Sequence, residues 1–148
     1  MTEKNHNVVK SLGVLLADSY MLMLKTQNYH WNVTGPHFSS FHVMFEGQYN
    51  DLFAAVDVVA ERMRALGEKA PGSLSAFSAL AKVKEETGHP TALEMISHLA
   101  SDHEKLVQDA DALLKAANEV GDDASADLAV DRLQWHQKTL WMLQAHLE

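Results

Sequence analysis

Apolar residues recur every three or four positions through almost the whole chain, the period of a helix rather than of a strand. The first block runs from about residue 6 to about residue 33, with Val9, Leu12, Leu16, Met23 and Leu24 as predicted core positions. Gly35-Pro36 ends it, because proline disfavours helical geometry in the residue before it. The second block, about 37 to 66, carries the stripe Phe45, Tyr49, Leu52, Val56, Val59, Met63 and Leu66. Gly67 fits a helix stop, and Ala70-Pro71-Gly72-Ser73 is a loop. Leu74 to Val83 reads as a short helix. Thr87-Gly88-His89-Pro90 is a second break, after which Thr91 stands three residues before Glu94 in capping-box spacing. The third long block, about 91 to 120, runs along Leu93, Ile96, Leu99, Leu106, Leu113 and Leu114. Gly121 closes it, and Asp122 or Ser125 caps the last block, about 123 to 147. No segment shows strand alternation. The pattern predicts an all-α chain, one domain over 1–148. It is a four-helix bundle with a short extra helix in the link between the second and third long helices.

Composition narrows this picture. The 148 residues carry a net charge of −8 and no cysteine, so disulfides and thiolate metal sites are excluded. There is no uninterrupted run of eighteen apolar residues and no signal-peptide pattern, so no membrane role and a cytoplasmic location are expected. The acidic balance disfavours broad attraction to nucleic acid.

Candidate chemistry sits on the second long helix. At 100° per residue, with Phe45 at zero, the apolar stripe lies between about −60° and +40°. His42, Glu46, Asp57 and Glu61 fall at about 60°, 100°, 120° and 160°, along one edge of that stripe. His42/Glu46 and Asp57/Glu61 are i, i+4 pairs, each able to converge on an ion. The pairs lie about 22 Å apart along the axis, too far for one ion when a metal–ligand bond is about 2 Å. Either they are unrelated, or a second copy of the helix runs antiparallel beside the first and completes two identical sites. His30, just before the Gly-Pro break, could join the His42 end. Acids at this spacing also occur as plain surface residues, Glu61 pairing with Arg62 or Arg64 among the alternatives.

The stretches YHWNVTGPHF, FHVMFEGQYNDLF and VDVVAERMRALG, with the ending KTLWMLQAHL, resemble the Dps family (DNA-binding protein from starved cells), the dodecameric mini-ferritins. The family pattern of two histidines, an acid, then Asp-x-x-x-Glu reads here as His30, His42, Glu46, Asp57 and Glu61. The resemblance implies a ferritin-like four-helix bundle assembled as a homododecamer. It implies ferroxidase centres at two-fold interfaces between antiparallel second helices. Ferrous iron would be oxidised there, preferably with hydrogen peroxide, and ferric mineral stored in the cavity, protecting against oxidative damage. His30 and His42 of one subunit would face Asp57 and Glu61 of its neighbour. Glu46, where the family usually has aspartate, would bridge or hold a second ferrous ion, with reach altered by the extra methylene. Trp31 would lie near the centre, as a packing anchor or an electron donor.

Other residues fall outside that pattern. Asp122, Asp127 and Asp131 form an acidic edge, either lining a three-fold pore for iron, as the resemblance implies, or complementing a helix dipole. His37 reads as a surface or capping residue, and His98, His103, His136 and His146 as structural. Only Lys4 and Lys10 offer positive charge near the N-terminus, against Glu3, so DNA binding is expected to be weak or absent. The rival reading is a nucleoid-associated structural protein with a vestigial metal site.

Overall fold

The helices form where the apolar period runs and end where the backbone demands it. The computed structural model describes residues 3–148, with side chains from residue 5 onward, so Lys4 lies outside the described side chains. Its elements are α1 (Glu3–Asn32), α2 (Phe38–Ala65), α3 (Leu74–Leu80), α4 (Ala92–Val120) and α5 (Asp123–Ala145). No strand occurs among the described residues. The Thr91 side chain accepts from the Glu94 N–H at 3.3 Å, and the Thr91 hydroxyl donates to the Glu94 carboxylate at 3.0 Å. Of the two proposed caps for α5, Asp122 is the one used, accepting from the Ser125 N–H at 3.1 Å. Gly121 ends α4 with φ +70°, a left-handed conformation that glycine adopts without steric cost. Gly121→Ala should therefore lower stability by about 1 kcal/mol, measured by urea unfolding.

α1 packs along α2 and α4, and α4 along α5, while α2 and α5 meet over only a short stretch. Leu12, Leu22, Phe45, Leu52, Ile96, Leu99, Leu106, Leu113 and Leu143 are sealed in the core. Each contributes about 2 kcal/mol by leaving water. α1 is apolar enough on average to reach the range of a membrane span, with a window hydropathy of 1.3, yet 61% of that window is buried inside the bundle. Most of its apolar residues are core residues.

Three sequence expectations change. Leu24 is 41% exposed and Leu93 56% exposed, so neither belongs to the core. Leu24 lies about 100° around the helix from buried Met23, beyond the stripe, and Leu93 stands in the first turn of α4. The short helix stops at Leu80, and Val83 is buried in an extended segment.

That segment is fastened to α1. Asp18 accepts from the backbone N–H groups of Lys82 at 2.7 Å and Val83 at 2.9 Å. Lys25 donates to the Lys84 carbonyl at 2.9 Å and pairs with Asp102 at 2.8 Å. The Tyr29 hydroxyl donates to Glu86 at 2.6 Å. Lys82 pairs with buried Asp109 at 2.7 Å. Burial and the hydrogen bond with Asp18 hold the Asp109 carboxyl above its ordinary range, outweighing the pull of Lys82.

Candidate metal centre

The loop between α1 and α2 turns the chain back on itself and brings His30 against His42. Their rings stack with centroids 3.8 Å apart and planes 12° apart. His30 Nδ1 donates to the His42 carbonyl at 2.6 Å, and His42 Nδ1 donates to the His30 carbonyl at 2.6 Å. A carbonyl oxygen can only accept, so each Nδ1 must carry a hydrogen. That fixes the tautomer of each uncharged ring, in which Nε2 keeps its lone pair, the arrangement a metal-binding histidine needs. Phe38 stacks on His42 at 5.0 Å, and Tyr49 meets the His30 ring edge-on at 5.3 Å. The two imidazoles are thus oriented before any ion arrives.

Farther along α2, Asp57 and Glu61 are exposed. The hydrogen bond that a protonated Glu61 gives to Asp57, and then the Asp57 charge, raise the proton affinity of Glu61. Two acids held one turn apart repel each other, and a cation relieves that repulsion. Neighbouring arginines do not do so. Arg62 gives its guanidinium to Asp122 and Ser125, both at 2.9 Å, and Arg64 donates to the Glu68 carbonyl at 3.1 Å. The surface-pairing alternative for Glu61 is therefore not what the fold adopts. Glu46 is exposed one turn after His42.

One chain thus carries two separate groups of candidate ligands, and it does not bring them together. Among the described residues, no three histidine, aspartate or glutamate side chains gather around a common point for a metal. The same exposed side of α2 carries Val43 at 63%, Phe53 at 66% and Val58 at 55% exposure, apolar area of the kind a partner covers. The hydrophobic period could not flag these three, because they fall outside the core stripe. Trp31 is 62% exposed. It lines a cleft of about 300 Å³ with Leu24, Lys25 and Glu86.

The remaining candidates fall elsewhere. Asp122 caps α5 and pairs with Arg62 at 2.9 Å. Burial would raise its carboxyl, but the Ser125 hydrogen bonds and Arg62 outweigh burial and hold it below its ordinary range. Asp127 and Asp131 are exposed on α5 and line a groove of about 590 Å³ between α2 and α5. His37 is exposed at the start of α2 and makes no side-chain cap. His98 contacts Tyr29 and Glu86, and His146 contacts the Met142 carbonyl. His103 and His136 are buried against each other between α4 and α5.

Residues 9–148 match the family described as the ferritin-like domain. A low-temperature-induced protein of Nostoc, itself uncharacterized, is 38% identical over 99% of this chain and 83% of its own length. A DNA protection during starvation protein of Brevibacillus brevis is 35% identical over 90% of this chain and 89% of its own. The crystal structure of a Dps protein from Bacillus brevis superposes with a TM-score of 0.97 at 34% identity, covering 100% of this chain and 99% of that one. A Dps protein from Vibrio cholerae, described as a member of a broad superfamily of ferritin-like diiron-carboxylate proteins, superposes with a TM-score of 0.94 at 30% identity over 98% and 91%.

Proposed function

The chain belongs to the Dps family of ferritin-like proteins, and from that premise we propose that it oxidises ferrous iron at sites shared between two subunits and stores the ferric product. The family supports iron storage and protection, and ferroxidase chemistry in general. The observation that carries the finer reading is the division of candidate ligands into two separate groups, His30 of α1 with His42 of α2, and Asp57 with Glu61 farther along α2. His30 and His42 present two free Nε2 atoms, and Asp57 and Glu61 present uncompensated carboxylates. An antiparallel partner α2 would bring the imidazoles of one subunit to the acids of the other and cover Val43, Phe53 and Val58.

Imidazole and carboxylate together suit ferrous iron, and the carboxylates further favour the ferric product. Glu46 reaches toward a second ferrous ion. Each ferrous ion gives up one electron. Peroxide takes both, its O–O bond breaks, and two protons complete two waters without free hydroxyl radical. Twelve subunits would enclose the mineral, with Asp127 and Asp131 lining the route inward. Trp31, beside His30, packs at the interface and can give an electron when only one ferrous ion is bound.

Adding ferrous salt and then peroxide to the purified shell should produce growing ferric absorbance. Hydroxyl-radical trapping should fall below the protein-free control. Equal radical yield with and without protein would end the proposal. With −8 per chain, the assembled protein should leave duplex DNA unretarded in a gel shift at moderate salt. Clear retardation would show a cationic surface not accounted for here.

A further inference from the structure

The bundle interior holds a pair of imidazoles that the ferroxidase reading does not use. His103 on α4 and His136 on α5 are 0% exposed, and their Nδ1 atoms lie 2.9 Å apart. At that separation one hydrogen must lie between them, so one ring donates and the other accepts. When each ring carries a single proton, the donor holds it on Nδ1 and the acceptor on Nε2, and the pair is uncharged. Both Nε2 atoms are buried without a partner.

The surroundings cannot accept a further proton. On α5, the Arg132 guanidinium sits over the Trp135 ring at 4.7 Å, and Trp135 contacts both histidines. Arg132 itself has Nε and Nη2 buried without partners. From α2 come Gln48, whose Oε1 is also unpartnered, and Asp51, already paired with Arg132 at 2.8 Å. On α4, Asp102 is held by Lys25 of α1 at 2.8 Å and by Lys105 at 3.4 Å. The contacts of His30 with His42 and of Lys25 with Asp102 put Gln48 and His103 level with Leu24 on α1, where the inward side chain is Met23. So every nearby carboxylate is already matched to a cation, and the charge that acts on the two rings is the positive one of Arg132, even with Asp51 as its partner.

We propose that His103 and His136 form an acid-sensitive latch between α4 and α5, which stays packed only while both rings are uncharged. A second proton would bury an imidazolium beside Arg132, and the accessible relief is to part α4 from α5 and let water in. Burial first, and Arg132 after it, push His103 down to about 3. Burial, His103 and Arg132 push His136 the same way. The sign follows from linkage. Below the unfolded value of 6.5 the unfolded chain binds these protons and the folded chain does not, so stability falls as pH drops through that range.

Unfolding by urea at fixed protein concentration, at pH 7.5 and at pH 5.5, tests this with the wild type and a His103→Gln, His136→Gln double variant. An unfolded imidazole with a pKa of about 6.5 contributes about tenfold to the unfolding constant between those two pH values. The wild-type constant should thus rise about a hundredfold more than that of the double variant. All other groups, Asp109 included, titrate in both proteins and cancel. Equal pH responses would overturn the latch. If the double variant does not fold, histidine-labelled NMR on the wild type decides. The two rings should keep their uncharged signals until the chain opens, and a protonation step near pH 6 within the folded protein would overturn the proposal. Neither measurement depends on iron.

Discussion

Replacing Asp57 and Glu61 together by alanine should lower the initial rate of peroxide-driven iron oxidation at least about a hundredfold. Loss of supporting residues alone costs metal sites tenfold to a hundredfold, and here the proposed ligands themselves are removed. Both side chains are exposed, and no core contact depends on them, so thermal unfolding should stay where it was. A His30→Ala, His42→Ala double variant should be equally inactive. The decisive experiment co-assembles the two inactive proteins. In a mixed pair, one interface site draws imidazoles and acids only from damaged halves. The other draws both from intact halves and is whole. Random mixing makes half of the pairs mixed, so about a quarter of wild-type activity should return. A site built within one chain could not be rescued this way, and absence of rescue would sink the shared centre.

The largest stability effect is expected from Asp18→Ala. Asp18 is fully buried, and one of its oxygens accepts from the Lys82 and Val83 N–H groups. Alanine leaves both donors without an acceptor and takes from Asp109 its hydrogen-bonding neighbour. Each stranded buried polar group costs about 1 to 3 kcal/mol, so a loss of about 3 kcal/mol is expected in urea unfolding. The segment from 81 to 90 should become open to proteases at the same time. Asp18→Asn retains a carbonyl acceptor and should lose less. An alanine variant that unfolds at the wild-type midpoint would mean that Lys25, Tyr29 and the Lys82–Asp109 pair hold the segment without Asp18.

These two predictions draw on different parts of what the sequence made legible. The helix plan was readable because long apolar periods leave few alternatives, and Phe45, Leu52, Val59 and Met63 are buried as that period requires. Leu24 and Leu93 were misjudged because a leucine near the stripe looks the same as one inside it. The spacing of the candidate ligands along α2 was readable too, since it depends on helix geometry, while their joining into one centre comes only from the resemblance. The reciprocal bonds of His30 and His42 were not, because they depend on how the loop closes. Asp18 and Asp109 were also missed, polar residues on faces expected to be apolar. A signal was present nonetheless. Asp18 and Lys25 stand seven apart on α1, as Asp102 and Asp109 do on α4, each pair two turns apart on one side of its helix.

With His42 and Glu46 toward one end of α2 and Asp57 and Glu61 toward the other, that helix would be a ruler for the proposed assembly. The stretch between Glu46 and Asp57 sets how far apart the two centres of a pair would stand and how they are turned. One inserted residue there would rotate the acids by about 100° and slide them by about 1.5 Å relative to the histidines. Both centres of the pair would lose their register at once, with every ligand still in place. Selection should therefore hold the length of this stretch more tightly than the identity of any solvent-facing residue within it.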